Sequence, residues 1–273
     1  MAMQNRAIVL LTAAAVTLAA CGGGEGGADL PSDPDAPVLQ VRSEGGFTTV
    51  EINLGRGPAY TLLADGRLIY QGPVIMIYPG PLLPNYQVVQ LTEEQVDGLL
   101  SLIDEVGLAG MESEVDDSAT SSVADATTEV LTYWDEGGIH EYLVYALGID
   151  PNPSNPATAA AYELVTALSE AAFAGDADEY VGDRVRVILG VAQTPPDPEF
   201  EDVRPWPLEG EDPIQWTGLG LEFTCKVFGP EEVETFRDAT QVTQWLHPEP
   251  MMDAPPFVLL VRPLHPGEPD CPS

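Results

Sequence analysis

The groups in this 273-residue chain that could bond, ligate or move protons are three cysteines, three histidines and 44 carboxylates. His140, His247 and His265 stand alone. No HxxxH or HxH spacing joins them and no cysteine lies near them at metal-ligand spacing, which argues against a zinc site. The carboxylates offer two candidate clusters for a divalent cation. In GMESEVDDS, Glu112, Glu114 and Asp116 alternate, so an extended backbone would turn all three to one side. In GDADEYVGDR, Asp176, Asp178 and Asp183 crowd a turn, yet the glycine of an EF-hand loop comes one place late and the twelfth position is Val187 instead of a bidentate Glu. Divalent cations are therefore a partner with little support, and no metal ligand is assigned. No GxSxG elbow, SxxK, phosphate-binding glycine loop or dinucleotide fingerprint occurs, so the sequence assigns no catalytic residue and no cofactor.

The cysteines are more informative. Cys21 follows an uncharged, mostly apolar run from Ala7 to Ala20 that is preceded by Arg6 and the amino terminus, the pattern of a secretory signal. The run is short for a bilayer-spanning helix, and glycine and acid follow it where a stop-transfer segment would be basic. The quartet LAAC, Leu18 to Cys21, resembles the lipobox of bacterial lipoproteins, which implies cleavage before Cys21 and acylation of its sulfur. The alternative is a plain secretory signal with an incidental cysteine. Two or more acyl chains suffice for stable anchoring, at about 0.8 kcal/mol per buried methylene. Residues 1–20 then read as signal and 21–37 as a leash, flexible where glycine-rich and stiffer at Pro31, Pro34 and Pro37. With Cys21 acylated, Cys225 and Cys271 remain as a pair in an oxidising compartment and are expected to bond. The expected location is the extracytoplasmic face of a cell membrane.

Forty-four acidic residues against ten basic ones give a formal net charge of −34. Loss of residues 1–20 removes Arg6 and no acid, so nine bases against 44 acids leave −35. Such a surface excludes nucleic-acid binding and is repelled by anionic headgroups. Lys226 is the single lysine beside nine arginines. The excess acid reads as a hydrated surface suited to a salty habitat, with cation binding as the sharper alternative.

The elements that must position these groups are those of an α+β fold: short antiparallel strands and hairpins with a few packed helices. Twenty-six prolines and 26 glycines favour turns and short strands over a bundle. Asp65 and Gly66 mark a hairpin between strand-forming runs, and Glu136 to Gly138 mark a second. Thr92 to Gln95 has capping-box spacing ahead of Val96, Leu99, Leu100, Ile103 and Val106 on one helical face. Asn155 and Pro156 open another helix, with Gly175 as its expected C-cap. In the second half DRVRVILGVAQ, GLEFTCKVF and FVLLVRPL read as strands, residues 194–213 as a proline-rich acidic loop, and Gly229 and Pro230 as the start of a helix reaching Leu246. Two units are expected, 38–176 and 177–273, with one continuous sheet as the alternative; no repeat relates them. Trp134, Trp206, Trp216 and Trp245 read as core or loop anchors, with an aromatic binding platform as the functional alternative.

The segments LLADGRLIYQGP, IYPGPLLPNYQVVQLTEEQVDGLL, FTCKVFGPEEV, ATQVTQWL and VRPLHPGEPDC resemble uncharacterised exported lipoproteins of high-GC Gram-positive (actinobacterial-type) bacteria, over most of residues 45–271. The resemblance implies the anchor at Cys21 and the pairing of Cys225 with Cys271, and transfers no catalytic residue. The expected function is that of a membrane-anchored binding or envelope-accessory protein, held to the membrane through its lipid and contacting an envelope protein. An extracellular hydrolase acting on wall or polymer is the alternative. A periplasmic solute receptor fits poorly, because hairpins stand where alternating strands and helices would be expected.

Overall fold

The computed structural model describes residues 30–109, 111, 114–117, 123–150, 153–192, 199, 201–220, 223–248 and 255–272. Cys21 and Glu112 lie outside them. The chain is α+β, with two mixed, largely antiparallel sheets and four helices among the described residues.

The first sheet is built around β1 (Pro37–Gly45), which pairs antiparallel with β2 (Tyr60–Leu63) on one side and β6 (Thr127–Asp135) on the other. β3 (Arg67–Gln71) follows β2 through the Asp65-Gly66 turn; Gly66 has φ +81, the left-handed conformation this turn demands. β4 (Tyr86–Gln90), β5 (Glu114–Asp116), β7 (Gly138–Tyr145) and β8 (Asp178–Glu179) complete the order β5-β7-β6-β1-β2-β3-β4-β8. Before β2, Thr49 caps the short helix α1 (Val50–Gly55).

Two long helices cover this sheet. In α2 (Glu93–Val106) the Thr92 hydroxyl accepts from the Gln95 amide and the Gln95 side chain accepts from the Thr92 amide, so the expected capping box is present. Its buried face is Val96, Leu99, Ile103 and Val106. In α3 (Pro156–Ala172) Asn155 accepts from the Ala157 amide, and the C-cap falls at Phe173, two residues before the expected Gly175. Both helices pack with Leu39, Leu62, Leu68, Leu131 and Tyr142 in one core.

The second sheet has the order β10-β13-β14-β9-β12-β11, comprising β9 (Val185–Val191), β10 (Val203–Arg204), β11 (Thr217–Gly220), β12 (Phe223–Phe228), β13 (Gln244–Trp245) and β14 (Phe257–Pro263). One face buries Val185, Val187, Leu259 and Val261 with Trp216, Phe236 and Trp245. The expected helix from Pro230 to Leu246 is not formed. The segment makes a 3-10 turn, one α-helical turn, α4 (Val233–Phe236), and then strand β13. The Thr243 hydroxyl donates to Asp202 and accepts from the Thr240 amide, and Trp245 pairs with Arg204 and Phe257, so tertiary partners replace helical ones.

The sheets interlock. Leu82 and Leu83, from the link between β3 and β4, pack on the second core, and the Leu82 amide donates to the Ala239 carbonyl at 2.9 Å. In return, residues after β14 reach the first sheet. Tyr180 donates to the Leu264 carbonyl at 2.8 Å, and His265 Nδ1 lies 2.8 Å from the Thr61 hydroxyl. No helix among the described residues is long and apolar enough to cross a membrane.

Cys225 and Cys271 form a disulfide with Cα atoms 5.9 Å apart, closing a sequence separation of 46 residues. Loop-closure entropy over that length is about 4 kcal/mol. Replacing both cysteines with serine should lower the unfolding free energy in urea by about 2 to 4 kcal/mol; an unchanged midpoint would show that the strands alone hold the C-terminal segment.

Candidate functional site

Strand alternation in β14 sorts its side chains. Phe257, Leu259 and Val261 enter the second core, whereas Leu260 and Arg262 project from the opposite face toward the first half of the chain. β9 does the same with Arg186, and register places Arg186 directly across from Arg262. Two like charges at opposed positions in the interior repel unless anions or carbonyls meet them. The C-terminal segment supplies both. Glu268 accepts a fork from Arg262, 2.8 and 2.6 Å to its two nitrogens, with side chains only 4% and 8% exposed. Arg186 donates to the carbonyls of Pro269 and of Asp270, the latter at 2.9 Å.

Burial would raise the Glu268 carboxyl, but the Arg262 guanidinium holds it below the usual carboxylate range. Burial and the neighbouring Arg262 push Arg186 down to about 10. Tyr86, packed beside them, is pushed up to about 12, mainly by burial. Burial also raises Tyr180.

His265 completes the junction. It is fully buried, and its ring stands edge-to-face with Tyr86 and Tyr180, with centroids 4.5 and 5.4 Å away. Its Nε2 has no hydrogen-bond partner among the described residues. Burial pushes its pKa down to about 3, so the ring is neutral. Gly57 lets this cluster close: a Cβ there would collide with the Tyr86 hydroxyl and come within 3.0 Å of the Arg262 guanidinium.

Next to the junction opens a groove of about 1030 Å³ with Gly57 and Tyr86 in its wall. Its floor is Leu259 to Val261 of β14, and Ile52 and Gly55 of α1 line it too. The facing wall is Val74-Ile75-Met76-Ile77-Tyr78, from the link between β3 and β4, and every one of these large side chains is exposed. Five consecutive exposed apolar residues are unusual on a folded surface and characteristic of contact sites. The groove has the size and apolar lining of a ligand site, with Gln71, Asn85 and Gln241 as scattered polar groups.

The residues singled out in the sequence are placed elsewhere. Glu114 is exposed at the sheet edge, whereas Asp116 is buried and accepts from Thr158 and, at 3.2 Å, from Asn155. Asp178 sits in β8, paired with Val88, and Asp183 lies 3.9 Å from Arg184. No group of three His, Cys, Asp or Glu among the described residues could hold a metal ion. His140 is held by the Met111 carbonyl and Asp135 on the second hairpin, and His247 rests on Phe257. Trp206, Trp216 and Trp245 pack in or against the second core, which makes them anchors. Arg186, Arg262 and Glu268 escaped the sequence reading; the available signal was a charge at an alternate position of two otherwise apolar strands.

Comparisons of the chain with protein-family models, with curated proteins and with solved structures find no match.

The buried histidine makes acid stability testable. The unfolded chain binds a proton near pH 6.5 that the folded chain refuses down to about pH 3, so stability falls as pH drops through that window. Linkage predicts that His265→Gln flattens the profile, losing about 2 kcal/mol less than the parent between pH 7 and 5 in urea titrations. His140, which is raised by the Met111 carbonyl and Asp135, acts in the opposite sense in both chains and cancels. Parallel profiles would mean that His265 is solvated in the folded state.

Proposed function

We propose that the protein is an exported lipoprotein, tethered through an acylated Cys21, that works by binding an apolar ligand in the groove between its two sheets. The observation that carries the reading is the groove itself, about 1030 Å³, with the exposed Val74–Tyr78 wall above a floor formed by β14. Supporting the tether are the signal-like run, the LAAC quartet and the resemblance to exported lipoproteins. The expected leash is shorter than 21–37, because Pro37 begins β1 and the Pro34 and Ala36 carbonyls accept from the Asp65 and Ala64 amides; residues 22 to 33 would reach at most about 40 Å when extended, enough to hold the folded part clear of the bilayer. The acidic surface suits that position, since it stays hydrated and avoids anionic headgroups. The charged groups of the junction serve this reading as structure: they are buried, Arg262 pairs with Glu268 and Arg186 with backbone carbonyls, and Tyr86 beside them lines the groove.

An uncharged apolar fluorophore, N-phenyl-1-naphthylamine, should bind saturably to the chain from Gly22 onward, which retains every described element and both cores. Ile75→Asp and Met76→Asp should each weaken that binding about tenfold, because a carboxylate placed on the apolar wall must be desolvated. Their thermal midpoints should stay within a few degrees of the parent, since both side chains are exposed. Absent or unsaturable binding would overturn the groove assignment. For the tether, Cys21→Ser should release the protein from the membrane fraction, and continued retention would overturn it.

A further inference from the structure

The groove carries two charges on an otherwise uncharged lining, Glu51 and Arg56, one at each end of α1. In this chain a base without an acid is uncommon. Arg42, Arg67, Arg184, Arg204, Arg237 and Arg262 each have a carboxylate within ion-pair distance, and Lys226 pairs with Glu211. Arg186 has none among the described residues, but it is buried and donates to the Pro269 and Asp270 carbonyls. Arg56 has none either, and it is only half-buried. The one hydrogen bond its side chain makes among the described residues is a long one to the Ser43 carbonyl, at 3.4 Å.

A guanidinium offers five donors in a planar fork that matches carboxylate and phosphate oxygens. With 44 acids in the chain, the availability of a partner does not explain why this arginine lacks one. Its place on the groove wall does: apart from Glu51, the rest of the lining is uncharged and mostly apolar.

We infer that the groove binds single-chain amphiphiles with an anionic head, the hydrocarbon lying along Leu259 to Val261 beneath the Val74–Tyr78 wall and the head held by Arg56. This rests on the reading of the groove as the ligand site. The chain's overall negative field opposes anions, so discrimination in their favour requires a local cation. At physiological salt the wider field is screened beyond about 8 Å, whereas a contact inside the groove is screened far less. Glu51 would oppose the same head from the far end of α1.

The test is displacement of N-phenyl-1-naphthylamine at pH 8.5 by three compounds that share a twelve-carbon chain: laurate, dodecyl phosphate and 1-dodecanol. At least one anion should displace the probe at about one-tenth the concentration needed for the alcohol, and the tighter of the two identifies the head. Arg56→Gln should collapse that preference toward one, Arg56→Lys should restore part of it, and Glu51→Gln should enlarge it. An alcohol that competes as well as both anions would overturn the anionic head while leaving the groove as an apolar site. A preference unchanged in Arg56→Gln would overturn the role of Arg56. Failure of the probe itself to bind would remove the groove reading and this inference together.

Discussion

Arg186 and Arg262 face each other across adjacent strands in the interior, and the rest of the second half is arranged to meet their charge. An isolated buried cation costs several kcal/mol, and two at opposed positions cost more. Glu268 and the carbonyls of Pro269 and Asp270 meet most of their donors, leaving the buried Arg262 Nε without a partner among the described residues, so the last residues of the chain must lie against β9 and β14. The disulfide from Cys225 on β12 to Cys271 holds that segment at its far end. Between the strand and the disulfide, His265 is carried to Thr61 of the first sheet, and Tyr86 and Tyr180 close over it. The contacts that meet the two arginines thereby join the sheets and set Tyr86 in the wall of the groove.

Charge economy runs through the remainder of the molecule. Most of the few bases are consumed locally: Arg67 bridges Asp35 and Asp65 beside the first hairpin, Arg237 bridges Glu179 and Glu234, and Arg204 holds Asp202. Exposed pairs of this kind contribute little to stability each, and their main effect is to fix loops while the unpaired acids stay hydrated. Against that background the half-buried Arg56 and the exposed apolar wall at Val74–Tyr78 mark one region as different in both charge and hydropathy.

Local signals were legible where the chain satisfies itself within a few residues. The capping box of Thr92 and Gln95, the Asn155-Pro156 helix start, and the turns at Asp65-Gly66 and Glu136 to Gly138 all depend on neighbours in sequence, and all are present. The failure at residues 237–246 has the opposite cause. Thr240, Val242 and Thr243 are poor helix formers, and the segment's actual partners, Asp202 for Thr243 and Arg204 and Phe257 for Trp245, lie far back in the chain or just beyond the next loop. The groove was illegible for the same reason: its floor, α1 and apolar wall come from three separated segments.

By itself the sequence determined the α+β composition, the helix caps and hairpin turns, the acidic surface and the cysteines available to pair, because each follows from residue type or from spacing within a few positions. Only the tertiary structure decided that the two sheets share a buried Arg-Glu-His-Tyr junction, that Arg56 has no acid partner among the described residues, and that Val74–Tyr78 overlooks β14. Those outcomes depend on which faces of distant strands meet. That is set by the summed burial of two cores and the satisfaction of two interior arginines, quantities that no local window of the chain contains.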